Sequence, residues 1–405
     1  MNLTSKRSIA LIILLGAVTA FDAMAIDFYM PAFLVIQSSL NTNAATLQMS
    51  LSVFLIGLAA GQAIFGALID SYGRRVPMLA GIIIFAAASA VLALSESISV
   101  FLVARFLQGI GGAAGVVTPR AIVTDVYKAS DSTKAYIILM QITAIAPIIA
   151  PPAGGFIVNA FSWQFIFWIL AVVGVLSIVA TMLILPETLP KTNRVKFTPR
   201  GILRSYVDLL KNRQFMGFMM ASVFLIASLF TYISGSPFML MEYLGFSPNK
   251  YSVTFSLIAL SMIIMGQVSI LLLKRCTIEK LYSIGFLIHI VFVFAFAATV
   301  FMLPNNATIL ILTLGLAISS ISLVMGALTS QAMSYVDATQ RGTASAFLGV
   351  LQYVFGGVTG IVLGFAHNGT LVPLALIIFV CSLAAIFSWW FAQNNLRASE
   401  TAQVI

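Results

Sequence analysis

Twelve apolar stretches, each near the roughly 20 residues that a helix needs to cross a bilayer, divide this chain between charges, prolines and polar clusters. They run from 8–35 for the first to 370–393 for the last. That pattern leaves little choice of fold: with no water in the hydrocarbon, backbone amides must be paired within each segment or around a closed barrel. The runs are too long and too uniformly apolar for the alternating strands of a barrel. The expected class is therefore an all-α integral membrane protein. Composition agrees: 60% of the 405 residues are hydrophobic and 8% charged, against about 25% charged in an average soluble domain. The first run is too long for a cleaved signal and lacks a small-residue cleavage site, so it is expected to be retained.

The basic residues set the expected orientation. Apart from Arg105, inside a span, and Lys250, in an opposite-side loop, they fall in the termini, in alternate loops or at the ends of the adjoining helices. By the positive-inside rule both termini are cytoplasmic. The net charge of +9 is then a topology signal, and nucleic acid is not an expected partner, since the charges are dispersed and lack interleaved aromatics. The basic, proline-punctuated stretch 186–214 divides the chain into a six-helix half over 1–185 and another over 215–405. "LSVFLIGLAAGQ", ending at Gln62, is echoed by "FSLIALSMIIMGQ", ending at Gln267, and each leads into a basic loop. Twelve spans with this duplication indicate two parallel, pseudo-symmetric halves. Cys276 and Cys381 lie far apart and suggest neither a disulfide framework nor a metal site. "GIGGAA" matches a dinucleotide fingerprint but follows no strand, so no nucleotide cofactor is expected.

Charged groups inside the spans are the candidate functional residues, because each costs about 2.5–3.5 kcal/mol at a helix centre on insertion scales. "FDAMAIDFYMP" places Asp22 and Asp27 in the first span, and Arg105 stands in the fourth. Gln108, Gly109 and Gly112 follow Arg105 at helical spacing and give one polar, small-residue face. Asp27 and Arg105 are expected at similar depth, either as a coupling pair or as a structural ion pair. Asp22 lies roughly 140° round a regular helix from Asp27 and is the weaker candidate. Other features are the bend-prone "APIIAPPAGGF" with Pro147, Pro151, Pro152, Gly154 and Gly155, and a seventh-helix end with Gly235 and Pro237. Tyr29, Gln108, Tyr232 and Phe238 are candidate ligand contacts. His289, mid-span without an accompanying acid, is expected to be a packing histidine, and Trp163 and Trp168 to be packing or interface residues. Sequons at Asn306 and Asn368 are too common by chance to use.

Four stretches carry a resemblance. "GALIDSYGRR" (66–75) resembles the loop signature of the major facilitator superfamily, with Ser71 in place of its usual Arg, and "RFLQGIGGAAG" (105–115) its fourth-helix motif. "APPAGG" (150–155) resembles the fifth-helix motif of its antiporters, with Ala150 in place of Gly, and "IDFYMPAF" with "SGSPFML" is similar to the bicyclomycin and chloramphenicol resistance branch. The resemblance implies the twelve-helix major facilitator fold and a secondary transporter rather than an enzyme, in a bacterial inner membrane. It implies exchange of protons for small amphipathic drugs, without cofactors or metals and as a monomer. It makes Asp27 the coupling acid with Arg105, and Asp70, Gly73, Arg74, Arg75 and Asp125 a cytoplasmic latch. In that latch Asp70 faces the start of the eleventh helix near Arg341, and Arg74 faces Asp125. Pro147, Pro151, Gly154 and Gly155 become a bend and seal. A cavity poor in charge and lined by aromatic and Met side chains would suit apolar drugs. Export of an endogenous metabolite or siderophore would use the same machinery, and a non-transporting membrane sensor or membrane enzyme is the reading from another class.

Overall fold

A computed structural model describes residues 6–127, 129–194, 206–337 and 340–404. Within them all regular structure is helical, and twelve helices are long and apolar enough to cross a membrane. They are α1 (Ser8–Ser39), α2 (Ala44–Tyr72), α3 (Arg75–Ala93), α4 (Ile98–Val126), α5 (Ile138–Ala160) and α6 (Gln164–Ile184). The remaining six are α7 (Arg213–Tyr243), α8 (Pro248–Leu273), α9 (Ile278–Met302), α10 (Ala307–Ser334), α11 (Gly342–Phe365) and α12 (Val372–Asn394). Local chemistry fixes several starts. Asn43 accepts a hydrogen bond from the Thr46 amide at 2.8 Å to begin α2, Asn212 from Phe215 at 3.0 Å to begin α7, and Asn306 from Ile309 at 3.2 Å to begin α10. Asn306 thus has a structural use as a helix cap, whatever its sequon.

The chain divides into two compact units. One holds Met1–Thr198 with Phe246–Ser256, the other Pro199–Gly245 with Leu257–Ile405. In the first, α2 and α4 approach so closely that a Cβ on Gly109 would run into the Phe54 carbonyl oxygen, the small-residue packing by which membrane helices gain dispersion contact. In the second, α7 is the hub against α10, α11 and α12. Large apolar side chains left outside, such as Leu183, Met302 and Phe365, are 78–79% exposed, as suits surfaces that meet lipid tails.

α1 is not one regular helix. It is built from Lys6–Thr19, Phe21–Asp27, a 3₁₀ turn at Met30–Ala32 and Phe33–Ser39. Pro31 sits at the start of that turn, where its missing N–H costs least, so the span continues to Ser39 beyond the residue 35 expected from hydropathy. α7 changes from an α-helix over Arg213–Pro237 to a π-helical turn over Phe238–Tyr243. Pro237 explains the change, since its ring and missing donor disturb the regular ladder.

Candidate functional site

Asp27 is the last residue of the Phe21–Asp27 segment and 3% exposed, whereas Asp22, one segment-turn earlier, is half-buried. The break immediately after Asp27 is held by α5. Gly154 of α5 faces the Phe28 backbone, and a Cβ at Gly154 would overlap the Phe28 carbonyl oxygen and lie 2.9 Å from its carbonyl carbon. The fifth-helix glycine motif therefore seats directly against the residue following the buried acid. Both acids lie in the one α-helical segment Phe21–Asp27, on which five residues separate them by roughly 140°.

The structure forms no Arg105–Asp27 ion pair, and Asp27 has no cation within ion-pair distance among the described residues. Arg105 is fully buried and spends Nη1 on the Ala25 carbonyl at 3.0 Å and on Gln108 Oε1 at 2.7 Å. Ala25 lies in the last turn of its segment, where carbonyls lose their helical donors, so a guanidinium N–H takes their place. The guanidinium carbon of Arg105 lies over the Tyr29 ring, 4.3 Å from its centroid, and over the Phe54 ring, at 4.4 Å, a stabilising arrangement for a desolvated cation. Gln108 completes the chain by donating to Ser89 Oγ of α3 at 2.8 Å. Gln108 is wholly buried and acts as a brace between α4 and α3. Tyr29 shares a hydrogen bond with Ser50 of α2 at 3.1 Å.

In α5, Pro152 cannot donate to the carbonyl four residues back, Ile148. Ser256 Oγ of α8 donates to that carbonyl instead, at 2.8 Å. One turn away Ser252 Oγ reaches the Pro151 carbonyl at 2.8 Å, and Asn159 Nδ2 donates to Asn249 Oδ1 at 2.8 Å. A Cβ on Gly155 would come within 2.7 Å of the Ser252 hydroxyl. Pro152 thus opens the α5 ladder at Ile148, and Ser256 of α8, in the same compact unit, closes it there. Pro147, another interruption, lies on the same helix.

The α2–α3 loop turns on Gly73, with φ +95°, a region that side chains rarely adopt. Arg74 Nε donates to Asp125 Oδ2 of α4 at 2.9 Å, and its Nη1 to the Ile69 carbonyl at 2.8 Å and to Asp70 Oδ1. Asp70, expected to face the start of the eleventh helix, has its ion pair with Arg74 of its own loop, the i,i+4 neighbour that a helix end brings within reach. Burial works against the Arg74 charge, yet the bonds to Asp125 and Asp70 outweigh it and raise its pKa further. Arg75 Nη2 donates to the Met182 carbonyl of α6 at 2.7 Å. Sequence reading missed Glu187, just beyond α6. Its carboxylate accepts from the amides of Arg74 at 2.8 Å, Leu189 at 3.0 Å and Arg75 at 3.4 Å. Burial would raise its pKa, but these amides and Arg194 at 3.8 Å hold it below the usual carboxylate range.

In the second unit Tyr232 and Phe238 are buried along α7, and the Phe238 ring meets His367 edge-on at 4.5 Å. Gly235 fits against Leu374 and Leu363. His289 is fully buried and bonded on both nitrogens: Nδ1 to Ser320 Oγ at 2.9 Å and Nε2 to Ser382 Oγ at 2.9 Å. It therefore ties α9 to α10 and α12 as a satisfied packing histidine. Trp163 is buried against Phe101 and Phe167, while Trp168 is 40% exposed. Among the described residues no group of His, Cys, Asp or Glu is placed to hold a metal ion.

Residues 14–361 match the profile of the Major Facilitator Superfamily. The chain belongs to this superfamily. Its twelve candidate spans among the described residues fit this family, whose members are transporters and not enzymes. A Bacillus subtilis relative, the uncharacterized MFS-type transporter YdgK, is 34% identical over 99% of both chains. The bicyclomycin resistance protein homolog of Haemophilus influenzae is 26% identical, over 97% of this chain and 98% of the relative. The multidrug resistance protein MdtL of Salmonella dublin is 30% identical, over 90% of this chain and 91% of its own. These relatives agree with the resistance branch that "IDFYMPAF" resembles. Among solved structures, an inward-facing, occupied bacterial homolog of the human lysosomal transporter Spinster superposes with a TM-score of 0.75 at 16% identity, over 97% of this chain and 98% of that one. That likeness bears on the fold.

Proposed function

We propose that this major facilitator protein exports small amphipathic drugs, of chloramphenicol or bicyclomycin type, in exchange for protons. It would lie in a bacterial inner membrane with both termini cytoplasmic and work as a monomer. The observation that carries the reading is Asp27: an acid 3% exposed, placed where α1 breaks, with no cation in ion-pair distance among the described residues. A fixed carboxylate there is costly, whereas an acid that gains and loses a proton can cross an occluded state neutral and discharge when water reaches it. Drug and proton then compete through linked equilibria, which yields exchange. Arg105 supports this as a scaffold: it holds the Ala25 carbonyl and so sets the break that presents Asp27. The resistance-named relatives support the substrate class.

Transport of a drug panel into proteoliposomes under an imposed pH gradient tests the reading. Asp27→Asn keeps size and polarity, so the expected result is folded protein that binds drug and has lost proton-driven transport. Asp22→Asn should do less. Wild-type rates in Asp27→Asn would remove Asp27 as the coupling acid and pass the role to Asp22. A wild-type protein that moved no member of the panel under the gradient would remove the drug-exchange reading.

A further inference from the structure

α3 begins without the groups that usually steady a helix start. Its N-cap is Arg74, with no side-chain cap, and its first turn holds no acid. Four amides at a helix start need acceptors, and the positive end of the helix dipole favours an anion. Glu187 supplies both from outside the helix, since two of its three amide donors, Arg74 and Arg75, are the N-cap and the first residue of α3. Its third donor, Leu189, belongs to its own stretch beyond α6, so the carboxylate is held in place while it caps. The neighbouring Thr188 hydroxyl donates at 3.0 Å to Asp125 Oδ2, the same oxygen that receives Arg74 Nε. Gly73 leaves room for the carboxylate, for a Cβ there would strike its Oε2.

We propose that Glu187 is a positioning residue for the α2–α3 loop, a cap donated in trans by the connection after α6. With Thr188 it fixes where the Arg74 guanidinium stands between Asp70 and Asp125. The first residues after α6 are then a strap on the loop: a movement of α6 or of the connection behind it reaches Arg74 through two side chains and not through the length of α3. A transporter whose loop rearranges during its cycle would be slowed by loss of the strap, and this part of the inference rests on the proposed exchange function. The capping itself does not.

The test uses the full chain with Cys276 and Cys381 replaced by serine and one reporter cysteine at Ser71, in membrane vesicles open to a thiol reagent on the loop side. Glu187→Gln and Glu187→Ala should raise the labelling rate of the Ser71→Cys reporter about tenfold, the scale of losing a charge-assisted hydrogen bond. Glu187→Asp should recover part of the protection. A second reporter, Asn305→Cys in the α9–α10 loop, should label at an unchanged rate. Equal rates at Ser71→Cys with and without Glu187 overturn the proposal, as does faster labelling at both reporters, which would mean general loosening. Should the Glu187 variants fail to insert, Thr188→Val takes their place: faster labelling at the Ser71→Cys reporter alone supports the strap, and no change overturns it. No drug or gradient is needed for these readings, so their failure is distinct from a failure of drug export.

Discussion

Gly154→Ala is the smallest change that should reach Asp27 without touching it. All three atoms nearest to a Cβ at Gly154 belong to the Phe28 backbone: its oxygen, its carbonyl carbon at 2.9 Å and its Cα at 3.2 Å. No side chain can rotate away, so relief requires α5 or the α1 break to shift by on the order of 1 Å to recover ordinary van der Waals contact. Overpacking of this kind costs about 1–3 kcal/mol. If the strain falls on one conformation more than another, it biases their equilibrium by roughly 5–150-fold. Three measurements apply: thermal unfolding of the purified protein, hydrogen exchange of the amides over 27–30, and proton-driven drug transport. The expected outcome is a lower unfolding temperature, faster exchange in that segment and reduced transport. Gly66→Ala in α2 is the control, because no atom lies within 4 Å of a Cβ there, and it should be neutral or slightly stabilising. A Gly154→Ala protein that matches wild type in all three measurements would refute the claim that α5 sets the geometry beside Asp27.

Ser256→Ala removes the hydroxyl that donates to the Ile148 carbonyl and should lower the unfolding temperature, with a loss of about 0.6–1.7 kcal/mol, the range of interhelical hydrogen bonds in membranes; Ser256→Thr should retain most of the stability. Thr254→Ala, whose hydroxyl serves Lys250 of its own helix, should show no comparable loss, and equal effects at the two positions would mean that the α5–α8 bond is not special. Orientation is checked in intact cells lacking the native cysteines. Thr192→Cys should resist an impermeant thiol reagent added outside while Asn305→Cys labels, and the opposite pattern would reverse the proposed topology.

How much of this was legible in the sequence depended on the kind of group involved. Hydropathy and charge placed the spans closely because both are properties of side chains along one segment: the last was expected over 370–393 and runs Val372–Asn394. The Arg74–Asp125 contact was also readable, as two opposite charges at helix ends facing one loop. Arg105 exposes the limit. With Asp22 and Asp27 the only acids inside spans, matching charge to charge led to Asp27, but the guanidinium instead found a carbonyl, an amide side chain and two ring faces. Backbone acceptors carry no letter in a sequence, and they become available only where a helix breaks.

The same argument covers the groups that sequence reading did not find. Pro152 does announce that the Ile148 carbonyl has lost its donor, since the ladder runs from each residue to the fourth before it. Nothing in the sequence says that Ser256, in another helix, will replace it. Glu187 was read as part of a basic connection, where an isolated acid suggests a solvated charge. The usable signal lay elsewhere, in the first turn of α3, which offers neither an acid nor a capping side chain to its own amides. A buried or half-buried helix start has to be satisfied by some group. The absence of a local one at Arg74 and Arg75 was therefore evidence for a distant one, and the connection after α6 supplies it. In this transporter the unpaired backbone groups created by a proline, a helix break and an uncapped start are the points at which one helix grips another. Each lies near a residue proposed to act in transport: Arg105 on the Ala25 carbonyl near Asp27, Ser256 on the Ile148 carbonyl at the α5 prolines, and Glu187 on the Arg74 amide. Transport requires contacts that can be released and remade, and single hydrogen bonds to freed backbone groups suit that need better than packed apolar surfaces, whose loss would cost far more.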